Sequence, residues 1–270
     1  MSVDDAPSSV VAALEGADDA ERTRALMALE RGEADIDHAI VRLLVVLLGD
    51  PRKAVSRRAA AALALAVAEP AHLTAVESAL GDADARRRWG AAFALARAGM
   101  RNEAVMRAAV MALDARDGDV RWAAAEIVCD IAGSLGHLRP LVEDAAVSGG
   151  PERRKMGLYC LRDLGHEDSA VFRAALSDSD RGVRLAALAG LVRCAGSSGE
   201  GADVIVDVMA HDADVGVRRA AAATLGRMAL DDQHVTDALG HARDASEDDD
   251  FIRAATAALE RRGRTENDHE

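Results

Sequence analysis

The residues best placed to do chemistry in this chain are aromatic and charged, and they recur at one spacing. Trp89, Phe93 and Arg97 stand at i, i+4 and i+8, as do Trp122, Glu126 and Asp130, and again Lys155, Tyr159 and Asp163. In a helix that spacing sets each trio along one face. Aromatics make up only 2% of the chain, yet both tryptophans, the single tyrosine and one of three phenylalanines fall in this column. Tryptophan and tyrosine are the side chains that most often anchor a binding partner, and charged neighbours can orient it. The competing account is packing, with Trp89 and Trp122 filling gaps between helices that alanine cannot reach. The chemistry expected here is recognition.

Other constellations are weaker. His234 and His241 are seven residues apart and share a helix face, but no carboxylate or cysteine completes a metal set at matching spacing. Ser148-Gly149-Gly150-Pro151 is glycine-rich but lacks the Gly-Lys-Ser/Thr ending that cradles phosphates, so it reads as an inter-helix turn. The acidic run Glu247 to Asp250 suits a cation or a basic partner, but more ordinarily a solvated helix start. No catalytic residue, metal site or cofactor is assigned.

The elements that must carry the aromatic column announce themselves by repetition. The phrase Asp-x-x-x-x-Val-Arg-x-x-Ala is cleanest at Asp178 to Ala187 and from Asp212 to Ala221. Its Arg position falls at Arg22, Ser56, Arg88, Arg121, Arg154, Arg184, Arg218 and Arg253, about every 33 residues. A fixed period of this size marks a solenoid, whose units bury their apolar faces only by stacking. The third position is repeatedly acidic, at Asp18, Asp84, Asp117, Asp180, Asp214 and Asp249, where a carboxylate caps free amides and meets the positive end of the helix dipole. Helices are therefore expected over about 18–31, 54–68, 84–98, 117–132, 151–164, 180–195, 214–229 and 249–262, with shorter first helices between them. Gly99, Gly133, Gly165, Gly196 and Gly263 read as left-handed helix ends. No stretch alternates with period two, so no sheet is expected. Gly16, Ala115 and Ser148 replace the first Asp in three repeats, while Glu247 keeps its charge in the last. The phrase arginines are expected to pair with these acids in a ladder along the turns.

Composition agrees. Half of the 270 residues are apolar but few are aromatic, so the core must be built from Ala, Leu and Val. The net charge of −13 argues against a nonspecific grip on nucleic acid, which needs a basic face. Lys53 and Lys155 are the only lysines, a bias that fits either a GC-rich genome or a salt-adapted proteome. Cys129, Cys160 and Cys194 lie in separate repeats without CxxC spacing, as buried free thiols in a reducing compartment would. The N-terminus has no apolar signal core. The longest strongly apolar run, 39–48, is too short to span a bilayer. A cytoplasmic, membrane-free protein is expected.

The phrase, with Asp50-Pro51 retaining its proline, resembles the short HEAT-like repeat of the phycobilisome-lyase class over about residues 10–263. The resemblance implies an all-α, right-handed α-solenoid of about eight stacked helical hairpins, with second helices lining a concave face. The aromatic column would point into that groove. One domain is expected over 1–263, its first unit a degenerate cap, followed by a disordered polar tail at 264–270. The function expected is a non-catalytic scaffold that binds a protein or peptide segment. The alternatives implied are a bilin lyase-like enzyme or tetrapyrrole chaperone, with Arg97 near the propionates, and a HEAT-like DNA-repair glycosylase, which Glu126, Asp130 and Asp163 disfavour by opposing phosphates. His166-Glu167 resembles half of the paired His-Glu motifs of HEAT-repeat deoxyhypusine hydroxylases, whose di-iron chemistry needs several such pairs.

Overall fold

A computed structural model describes residues 9–194, 201–228 and 233–267, with side chains to residue 263. Helices follow one another through short turns, and no strand occurs among the described residues. The contacts group the chain into two compact units where the sequence reads as one domain. The first holds the chain up to Ala112 together with Glu126–Leu138, and the second holds Leu113–Ala125 together with the chain from Arg139.

The first unit contains α1 (Ser9–Glu15), α2 (Asp19–Glu30), α3 (His38–Leu47), α4 (Lys53–Ala66), α5 (Pro70–Ser78), α6 (Ala85–Arg97) and α7 (Glu103–Ala112). Helix α8 (Gly118–Ser134) begins in the second unit and ends in the first. The second unit continues with α9 (Arg139–Val147), α10 (Pro151–Asp163), α11 (Ala170–Ala175), α12 (Arg181–Cys194), α13 (Ala202–His211), α14 (Val215–Leu225), α15 (Gln233–Asp244) and α16 (Asp249–Asn267). The even-numbered helices match the expected second helices closely. Helix α1 was not legible in the sequence and packs on α2 to complete the first hairpin. Within the first unit α2, α4 and α6 stack in succession, and within the second α10, α12, α14 and α16 do the same.

The repeated phrase explains each turn. In the clearest repeat Asp178 accepts the backbone N–H of Asp180 at 2.8 Å, and Asp180 in turn caps the Val183 amide at 3.0 Å. Val183 is fully buried, as are Ala186 and Ala187, so one short segment sets both the turn and the core face. Arg184 then closes the turn by donating to the Asp178 carbonyl and reaches the next repeat with a two-pronged grip on Asp212, at 2.7 and 3.0 Å. Arg154 holds Asp178 in the same way, at 2.7 and 2.8 Å. Hydrogen bonds from Arg154 keep the Asp178 carboxyl below the usual carboxylate range, and Asp178 raises Arg154. The rungs from Arg154 and Arg184 therefore each run to the next repeat's first Asp, whereas Arg88 and Arg218 close their own turns on the backbone carbonyls of Asp82 and Asp212. Where Ser148 replaces the first Asp, Glu152 takes the contact from Arg121 at 2.9 Å.

The last repeat sits one residue earlier than the phrase implies. Asp248, not Asp249, caps α16, accepting from the Phe251 amide at 2.7 Å, and the Ser246 hydroxyl accepts from the Asp248 amide. Phe251 thus fills the buried slot of Val183, and Glu247 is left exposed rather than taking the first Asp's place. The rung here is Arg219 on Asp248, not Arg218 on Glu247.

Small residues set how near the helices come. A side chain at Gly157 would meet the Ala146 backbone nitrogen of α9 at 2.5 Å, and one at Gly190 would overlap the Phe172 ring of α11. Of the glycines expected as left-handed helix ends, Gly99 and Gly165 have positive φ. Gly133 and Gly263 lie inside α8 and α16 instead, and Gly196 lies outside the described residues. Residues 264–267, expected as part of a polar tail, continue α16, while 268–270 lie outside the described residues.

Candidate binding surface

All nine residues of the column lie on second helices, and none is buried. In the first unit Trp89 and Phe93 of α6 are half-buried, with ring centroids 5.5 Å apart and planes tilted by 48°. The exposed Arg97 guanidinium lies over the Phe93 ring at 5.9 Å, a cation–π arrangement. Leu65 of the adjoining α4 is 53% exposed, and because α4 packs on α6 it extends the apolar face. Glu126 and Asp130 of α8 are exposed, and Arg101 grips Asp130 with two bonds of 2.8 and 3.2 Å. Arg101 precedes α7 and stands outside the i, i+4 column, which is why periodicity did not select it.

In the second unit Trp122 stacks on Tyr159, with centroids 5.8 Å apart and planes 14° from parallel. Trp122 remains 54% exposed, whereas Tyr159 is half-buried. The guanidinium of Arg162 lies 5.0 Å from the Tyr159 ring centre and also pairs with Asp163 at 2.7 Å. Lys155 is held by Glu152 at 2.8 Å. Arg162 and Glu152 are further residues that the column omits. Both sit one helical turn or less from a column residue, so a search for charges flanking each aromatic would have found them.

Recognition is what this arrangement can perform. A tryptophan stacked on a neighbouring ring has lost part of its side-chain freedom before any ligand arrives, which lowers the cost of binding. The other surface features are less organised. A shallow depression of about 380 Å³ on the first-helix side is lined by Pro140, Glu143, Asp144, Val147, His166, Asp168 and Val171. Among the described residues no group of three or more His, Cys, Asp or Glu is arranged to hold a metal. Cys194 donates to the His166 carbonyl at 3.0 Å, and burial pushes its thiol pKa up, away from reactivity. No helix among the described residues is long and apolar enough to cross a membrane.

Residues 169–260 match the family profile for HEAT repeats. That span covers α11 to α15 and most of α16. The profile describes HEAT repeats at large and names no lyase subclass. No curated protein matches the chain. Among solved structures, YibA of Escherichia coli is 17% identical, with 93% of this chain aligned to 91% of that one at a TM-score of 0.56. Kap95p, solved with RanGDP, is 12% identical, and a mutant of Kap121p is 13% identical, each with a TM-score of 0.61. This chain spans 41% of Kap95p and 34% of Kap121p. At such identities the likeness concerns the fold. The fold is an all-α solenoid of stacked helical hairpins.

Proposed function

We propose that the chain is a non-catalytic interaction scaffold whose second-helix faces bind a protein or peptide segment. The observation that carries this reading is Trp122, a tryptophan 54% exposed yet ordered by a stacked partner. Leaving a large ring in water gains nothing for folding, whereas a pre-ordered exposed aromatic is suited to desolvation by a partner. The contact residues would be Trp122, Lys155, Tyr159 and Asp163 in the second unit, and Trp89, Phe93, Arg97, Glu126 and Asp130 in the first. The free thiols of Cys129, Cys160 and Cys194 fit a reducing, cytoplasmic setting. Nothing in the geometry of the face favours the bilin or DNA-repair alternatives.

The test compares wild type with Trp122→Ala and Trp89→Ala, by capture of partners from native extract and by thermal melting. Trp122→Ala should weaken capture at least tenfold, on the order of a hot-spot residue, while stability changes by no more than about 0.5 kcal/mol, as at exposed positions. Trp89→Ala, at a half-buried position, should cost more stability. If Trp122→Ala instead loses several kcal/mol, as core aromatics do, and capture survives, Trp122 is packing and the reading fails.

A further inference from the structure

The charges on the second unit's face are not evenly matched. Lys155 is paired with Glu152 at 2.8 Å, Arg162 with Asp163 at 2.7 Å and Arg181 with Asp214 at 3.0 Å, while Arg219 is shared between Asp248 and Asp250 at 2.8 and 2.9 Å. Two arginines on the same face differ. Arg193, in the last turn of α12, and Arg227, just past the end of α14, are exposed, and neither pairs with a carboxylate among the described residues. Arg227 makes only a 3.4 Å contact with the Thr224 hydroxyl. They occupy equivalent positions in successive repeats, and α12 packs directly on α14.

We infer that this face takes a peptide segment bearing two carboxylates among apolar residues, the acids bound by Arg193 and Arg227. Guanidinium groups bind carboxylates through two parallel hydrogen bonds, so two unmatched arginines select acids by geometry as well as charge. Packed helices lie about 8–10 Å apart, a distance bridged by carboxylates two or three residues apart in an extended segment that rises about 3.3 Å per residue. Before the arginines, each helix presents half-buried small or apolar residues to the same face: Leu185 and Ala189 on α12, and Ala223 on α14. A segment with its acids on the arginines would lay its apolar side chains there. A basic segment would bring like charge against Arg193 and Arg227. A nucleic acid would bring its whole phosphate backbone toward a protein of net charge −13.

The inference rests on the scaffold reading, and one experiment separates them. A random twelve-residue peptide library is selected against the whole protein, against Arg193→Gln/Arg227→Gln, against Arg193→Glu/Arg227→Glu and against Trp122→Ala, with circular dichroism showing that each variant is folded. Wild type should enrich peptides with apolar residues and paired acids. The glutamine pair should weaken those peptides about tenfold, as loss of charge-assisted contacts does, and the glutamate pair should turn the enrichment toward Lys and Arg. Peptides that lack acids, yet depend on Trp122, overturn the inference and leave the scaffold reading standing. Acidic peptides insensitive to both arginines overturn it too, and peptides indifferent to Trp122 as well remove both. No enrichment at all also overturns the inference, as does retention of a DNA oligomer at low salt that is lost in the glutamine pair, which would assign the arginines to phosphate.

Discussion

At the residue scale each repeat depends on very few groups, and Asp178 shows how. Its carboxylate accepts the Asp180 amide and both prongs of Arg154. Its folded pKa is depressed, chiefly by Arg154, so the folded state binds fewer protons than the unfolded chain in acid. The stability it contributes is present above the ordinary carboxylate range and is lost as pH falls through about 4 toward the folded value. Arg154→Ala should lower stability at neutral pH by about 1–2 kcal/mol, the scale of a charge-assisted pair with most of its surface covered. It should also flatten the acid-side loss. Urea unfolding of both proteins from neutral to acidic pH checks this, and an unchanged acid-side slope in the variant would remove Asp178 from the account. The functional surface is also decided by single residues. Trp89 and Trp122 hold the same repeat position, but only Trp122 is mostly in water.

At the element scale helix pairing is set by small residues more than by large ones. Gly157 lets α10 approach the α9 backbone, and Gly190 lets α12 close over Phe172. Gly190→Ala should cost about 1–3 kcal/mol by overpacking, because the Phe172 ring is fully buried and has little room to yield. Pairing it with Phe172→Leu should recover part of that loss, a non-additivity expected only if the two residues touch. Melting of the two single variants and the double decides it. The phrase predicts helix starts well because its acids do local work. It misjudged α16 because a pattern match cannot tell Glu247 from Ser246 as the residue that meets the next amide, whereas the hydrogen bonds do.

At the scale of the whole molecule each unit is a row of hairpins, and stacked repeats contribute nearly additively to stability. Helix α16 packs on α14, where Gly226 faces Ala258. Removing the α15–α16 hairpin should lower the melting midpoint and reduce the denaturant m-value with the surface no longer buried. The remaining helices should keep their circular dichroism signal. Collapse of the whole signal would show that the last hairpin is a folding requirement rather than an increment. The division into two units was not legible in the sequence, because the phrase continues through α8 without a break while the contacts change partners within that helix.

The sequence by itself determined the period, the all-helical class, the positions of the second helices and the face on which the aromatics stand. Those follow from interactions within one turn or between neighbouring repeats, and an Asp, a Val, an Arg and a pair of Ala at fixed spacing encode them directly. Only the tertiary structure decided which ring is in water, which charges are already matched and where the last repeat begins. Exposure and charge pairing depend on residues far apart in the chain, Arg154 with Asp178 at a separation of 24 and Trp122 with Tyr159 at 37, and no local pattern carries that distance.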